Sequence, residues 1–172
     1  EPEPEPEPEP ALGAATTVEF KCEQRIVEWT VPPGVTQATI EAWGASGGDA
    51  TAEGGSKGGR GAHLRGVFAL VPGQQLRLLV GGAAPATKGG SGGGGGSFVV
   101  GADGSPLLVA GGGGGASYFQ PRDGLAAALG EGGVKGQDHG SYGAGHAGGA
   151  GGGGGAADGD TLCGGVSGGG LR

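Results

Sequence analysis

The sequence predicts a mainly β, antiparallel fold that carries glycine-rich segments, and three observations lead there. Short runs with period-two apolar alternation recur between residues 16 and 110. Forty-nine of the 172 residues are glycine, with unbroken runs at 92–96, 111–115 and 151–155. Only one stretch, 123–129, is patterned like a helix. Two states are open to the glycine. With 11 prolines and no fixed period, the composition is that of a low-complexity chain. Alternatively, the runs form extended threefold helices of the polyproline II type, rising about 3.1 Å per residue. Such helices approach closely because no Cβ intervenes, and they bond backbone to backbone.

Residues 1–15 read as an arm and linker, and residues 16–172 as one glycine-rich β domain. The arm is five Glu-Pro repeats, in which each proline fixes φ and pushes the residue before it to extended geometry. A stiff acidic spacer follows, either solvated, docked on a partner subunit, or binding cations. Residues 16–22 alternate with Val18, Phe20 and Cys22 on one face, a half-buried strand. A second strand, 26–31, ends at Pro32-Pro33-Gly34. The third, 36–44, puts Ala38, Ile40 and Ala42 on one side and Thr39, Glu41 and Trp43 on the other. Residues 61–70 and 74–80 flank Val71-Pro72-Gly73-Gln74 and read as a hairpin. Residues 97–100 and 107–110 flank Ala102-Asp103-Gly104-Ser105, a second hairpin. About seven strands result.

The glycine-rich segments are 44–62, 88–97, 111–116 and 130–172. The last holds few large apolar side chains, namely Val134, Tyr142, Leu162, Val166 and Leu171. At about 1.5–3 kcal/mol per buried aliphatic side chain, these build no conventional layer. Backbone hydrogen bonding must order this region if anything does. The exception is the helix expected at 123–129, with Asp123 as its cap and Gly130 as its stop. Among the aromatics, Phe20, Trp29, Phe68 and Phe98 are the largest volumes available to a core, and Trp43 is expected to cap the junction between strands and glycine.

The order Trp29-Thr30-Val31-Pro32-Pro33-Gly34-Val35, then Ile40-Glu41-Ala42-Trp43-Gly44-Ala45 running into glycine, resembles the bacterial and phage glycine-rich domain. Val71-Pro72-Gly73-Gln74 and the run from Leu107 into Gly113 match that family's later elements. The chain is also similar to the glycine-rich extracellular module of anaplastic lymphoma kinase-type receptors, and to the bundles of phage tail-tip adhesins. The resemblance spans residues 26–155 and implies an antiparallel jelly-roll-like sandwich bearing polyglycine II-type segments. The Glu-Pro arm and the 16–22 strand lie outside its pattern.

Charge and chemistry narrow the function. Five of the 17 acidic residues lie in the arm, which leaves 12 acids against 10 bases and no basic face for nucleic acid. Methionine is absent, which is expected of a processed, secreted chain, and no apolar run reaches membrane-spanning length. Cys22 and Cys163 are expected to form a disulfide, with two buried thiols as the other reading. Ser46, Ser56, Ser91 and Ser167 each centre a G-x-S-x-G pattern, but no strand-to-helix elbow or placed histidine accompanies them. Asp138, His139 and His146, or Asp158 and Asp160, form only partial metal sets, so no cofactor, no metal and no catalysis is expected.

Two functions follow. The leading one is an extracellular structural subunit that self-associates into a filament or surface layer, with Val18 and Phe20 on the strand offered to a neighbour. The alternative is an adhesin or receptor-type module that uses Tyr118, Phe119 and Arg122 in a loop, contacting a cell surface or polysaccharide. Ice binding by a flat glycine bundle ranks below both, because the glycine has no fixed period.

Overall fold

The computed structural model of the chain describes residues 16–51, 55–117 and 123–127. Six strands are present among these residues: β1 (Val27–Thr30), β2 (Gln37–Trp43), β3 (His63–Ala69), β4 (Gln75–Leu79), β5 (Ser97–Gly101) and β6 (Pro106–Ala110). The six strands pair only antiparallel, and the described residues contain no helix. Four strands form one sheet in the order β1-β4-β5-β6, while β2 and β3 form a second.

Each boundary has a local cause. Pro32, Pro33 and Gly34 close a turn in which Val35 N–H donates to Pro32 O at 3.2 Å and Gly34 takes φ 82°. Val71, Pro72, Gly73 and Gln74 do the same, with Gln74 N–H on Val71 O at 2.9 Å and Gly73 at φ 81°. Proline second and a left-handed glycine third is the type II signature. The two turns lie side by side, since Val31 N–H donates to Gln74 O and Gly73 N–H to Val31 O, both at 2.9 Å. One antiparallel ladder thus runs from Trp43↔His63 to Gln37↔Ala69, bends at the turns, and resumes from Thr30↔Gln75 to Val27↔Leu78. The hairpin expected for residues 61–80 is therefore corrected: β3 and β4 belong to different sheets. Type II turns splay the strands they join, so this turn carries the chain between sheets. The 101–105 turn does close a hairpin, β5 to β6, with a register shift at Val99/Val100.

One apolar cluster draws on both sheets. Val31, Leu70, Leu76, Leu78 and Val99 are buried, with Trp29, Ala38, Ile40, Phe68 and Leu108 packed around them. Leu76, at 2 % exposure, and Val31, at 1 %, are the most enclosed large side chains described. Alternation is clean on β2, where Ala38, Ile40 and Ala42 face inward and Thr39, Glu41 and Trp43 face solvent.

Beside the sheets, chain segments without strand geometry bond to one another in a three-residue repeat. Residues 44–51 occupy the middle. Gly44, Gly47 and Ala50 donate to the carbonyls of Ala62, Gly59 and Ser56, while Ala45 and Gly48 donate to Gly95 and Gly92. The carbonyls of Ser46 and Asp49 accept from Ala84 and Thr87, so these bonds, 2.8 to 3.2 Å long, reach each neighbour at every third residue. Gly113 and Ala116 donate to Ala45 and Gly48 with the same step, as do Gly59 and Ala62 to Gly114 and Gly111.

The repeat explains where glycine is obligatory. A Cβ on Gly47 would fall 2.0 Å from Gly114 O, one on Gly113 2.0 Å from Gly59 O, and one on Gly58 2.0 Å from Gly47 O. Residues 123–127 join this network, which corrects the expected helix: Gly124 N–H donates to Lys57 O at 2.6 Å and Ala127 N–H to Arg60 O at 2.9 Å. Asp123 accepts from Lys57 N–H at 2.7 Å, capping a neighbouring segment instead of a helix of its own. Residues 81–87 also take part, beyond the segments that glycine content marks.

Candidate functional site

Two surfaces merit attention, the edge at β1 and the outer face of β2 and β3. At the edge, β1 is the terminal strand of its sheet and pairs only with β4 among the described residues. Residues 16–25, which lead into it, have no strand structure, which corrects the strand expected at 16–22. The physical reason is visible in burial: Val18 is 51 % exposed, and Cys22 is exposed as well. Only Phe20 is half-buried, set edge-on against Trp29 with ring centroids 6.3 Å apart at 79°. Phe20 packs on the core and Cys22 Sγ lies against Gly82, but the alternation that suggested a strand has no described ladder to support it. On the outer side of the same edge, Arg25, Ile26, Val27, Glu28 and Arg77 line a groove. Arg77 reaches Ala102 O at 3.5 Å through Nη2, while its buried Nε has no partner among the described residues.

The second surface corrects the role expected for Trp43. It does not cap the junction with glycine but projects outward, 57 % exposed. Its indole stacks on the ring of His63, the residue directly opposite in the ladder, with centroids 4.7 Å apart and planes within 4°. His63 Nε2 in turn meets Glu41 Oε1 at 2.6 Å. Arg65, opposite Glu41, and Val67, 62 % exposed, continue the same face. The pairing needed to place Trp43 beside His63 was not readable, but the outward side was: Trp43 shares its alternation with Thr39 and Glu41.

Side chains also finish the backbone network. Asp49 accepts Gly58 N–H at 2.9 Å and Lys57 Nζ at 2.7 Å, and these two donors, Lys57 first, hold its carboxyl below the usual carboxylate range. The same pair raises the Lys57 ammonium above the usual lysine value. Asp103 is likewise lowered, by the hydroxyl and then the backbone N–H of Ser105. Buried Ser91 and Ser97 donate at 2.6 Å to Asp49 O and Trp43 O, tying their hydroxyls into the backbone network.

Tyr118, Phe119, Arg122 and Cys163 lie outside the described residues, as do Asp138, His139, His146, Asp158 and Asp160. Among the described residues, no group of three acidic, histidine or cysteine side chains gathers as for a metal, and no helix is long and apolar enough to cross a membrane. Comparison with protein-family models and with characterised proteins finds no match.

Proposed function

We propose that the protein is an extracellular structural subunit, a jelly-roll-like sandwich carrying polyglycine II-type segments, that assembles by lending residues 16–22 to a neighbour. The three-residue bonding step and the glycine contacts near 2 Å support the polyglycine reading, because a threefold helix turns successive peptide groups toward three different neighbours. Side chains from both sheets meeting in one core support the sandwich.

The observation that carries the assembly reading is the pairing of an open β1 edge with an adjacent segment whose one half-buried side chain is Phe20. An open edge presents unpaired N–H and C=O groups that a second chain's strand satisfies. Exchange between copies costs little, because the Phe20–Trp29 contact is recovered on the neighbour's Trp29, as in domain swapping. Exposed Cys22 suits an oxidising environment, where it would pair with Cys163.

Light scattering and circular dichroism test the reading. A chain lacking residues 1–22, made with Cys163→Ser, is expected to fold without assembling, and Val18→Asp in the full chain is expected to do the same. Full-size assemblies from both variants would rule strand donation out.

A further inference from the structure

We infer that the outer face of β2 and β3, around Trp43 and Arg65, seats the Glu-Pro arm (residues 1–10) of a second copy of the chain. The inference rests on the self-association reading and names where the arm goes. Stacking on His63 covers one side of the indole and still leaves Trp43 57 % exposed, an unusual position for the largest apolar side chain. Flat exposed aromatics are what proline-rich extended segments dock on, because proline restricts such a segment before it binds and little entropy is lost. The sequence supplies one such segment, five Glu-Pro repeats in the first ten residues.

Charge and spacing agree. Glu41 is engaged by His63 Nε2 at 2.6 Å, whereas Arg65 is exposed and forms no ion pair among the described residues. Arg65 is thus the free cation of the face, and the arm brings five carboxylates. In a threefold extended helix, residues three apart share a side, so every side of a Glu-Pro repeat alternates Glu and Pro about 9 Å apart. Trp43 and Arg65 sit diagonally across the ladder, one strand over and two residues along, which is about 8 Å. A proline on the indole therefore places the next carboxylate on that side within reach of the Arg65 guanidinium. Among the described residues the sheet here is two strands wide, the width of a single peptide.

A double-mutant cycle on the full-length protein tests this, with sedimentation velocity reading the association constant. Trp43→Ala and deletion of residues 1–10 are each expected to weaken self-association at least tenfold, and combining them is expected to weaken it no further. Arg65→Glu should weaken it by a similar factor and remove most of its salt dependence. Circular dichroism confirms the fold of each variant. Titrating a (Glu-Pro)5 peptide into the arm-deleted chain should shift the Trp43 indole N–H resonance, and the Trp43→Ala chain identifies that peak. Additive effects, or assembly indifferent to Trp43→Ala, overturn this inference alone and leave strand donation standing. A full chain that is monomeric at every concentration overturns both. A Trp43 resonance that moves on arm deletion under dilute, monomeric conditions places the arm on its own chain and overturns docking between copies.

Discussion

The two halves of the described structure are held by opposite means. In the sheets, side chains decide: Leu76, Leu78 and Val99 bury themselves in a shared core, and β5 is buried on both its faces. In the glycine segments, missing side chains decide, since a methyl group at Gly47 or Gly113 would occupy the space of a neighbour's carbonyl. Hydrophobic burial is not directional, so the sheets tolerate loops of varied length between strands. Backbone bonding is directional, and it forces every third residue of a segment toward the same neighbour. A protein short of large apolar residues can thus extend its ordered volume by laying chain against chain.

That comparison can be broken by trading one side chain in each half. Gly47→Ala adds a Cβ 2.0 Å from a backbone oxygen that has no flexible tip to move aside, and it is expected to cost about 3 kcal/mol. Leu76→Ala removes the most enclosed leucine and is expected to cost about the same, within the usual ~2–5 kcal/mol for such a truncation. Chemical denaturation of the two variants should therefore show that adding a methyl in one region equals deleting an isobutyl group in the other. A Gly47→Ala chain as stable as the parent would mean that residues 44–51 are not packed as described.

The comparison sharpens at Gly92, which lies in a glycine run but has open space where its Cβ would be. Gly92→Ala is expected to be neutral or to stabilise by about 0.4–1 kcal/mol through the unfolded chain. The gap between positions 47 and 92 separates glycine needed for contact from glycine that is merely tolerated.

A smaller effect belongs to the acidic cap. Lys57 and Gly58 N–H lower the folded-state affinity of Asp49 for a proton, so unfolding at acid pH takes up a proton there. The stability this carboxylate contributes is fully present above the ordinary carboxylate range, and it is lost as pH falls through the lowered folded value. Thermal melts below about pH 4 should show the parent losing more stability than Asp49→Asn relative to neutral pH. Parallel pH profiles would show that the Asp49 contacts are not formed in solution.

How much was legible follows from the same contrast. Strand positions were, because alternation and the Pro-Gly turns act locally, and each strand from β1 to β6 falls on an expected run. Which strands pair was only partly legible. The turns at 32–35 and 71–74 were placed correctly, yet the type II geometry that moves the chain between sheets was read as a hairpin. Residues 16–22 alternate like a strand, but alternation records which face could be buried and not whether a partner exists. Asp123 as a cap and Gly130 as a stop suggested a helix, whereas the carbonyls of Lys57 and Arg60 claim Gly124 and Ala127. Trp43 was misassigned because its neighbour in sequence is glycine, while its neighbour in space is His63. The three-residue repeat lies in the bonding and not in the glycine spacing, so counting glycines could not reveal it.

The central claim, that backbone bonds order the glycine segments, is tested most directly by amide hydrogen exchange resolved residue by residue across residues 44–49. Gly44, Ala45, Gly47 and Gly48 donate to carbonyls of other segments, whereas the amides of Ser46 and Asp49 find no acceptor among the described residues. Slow exchange at those four positions, broken by fast exchange at Ser46 and Asp49, is the expected result, because bonded amides exchange only when the structure opens. Uniformly fast exchange from 44 to 49, with the amides of β4 and β5 still protected, would contradict the account: the sheets alone would then be folded.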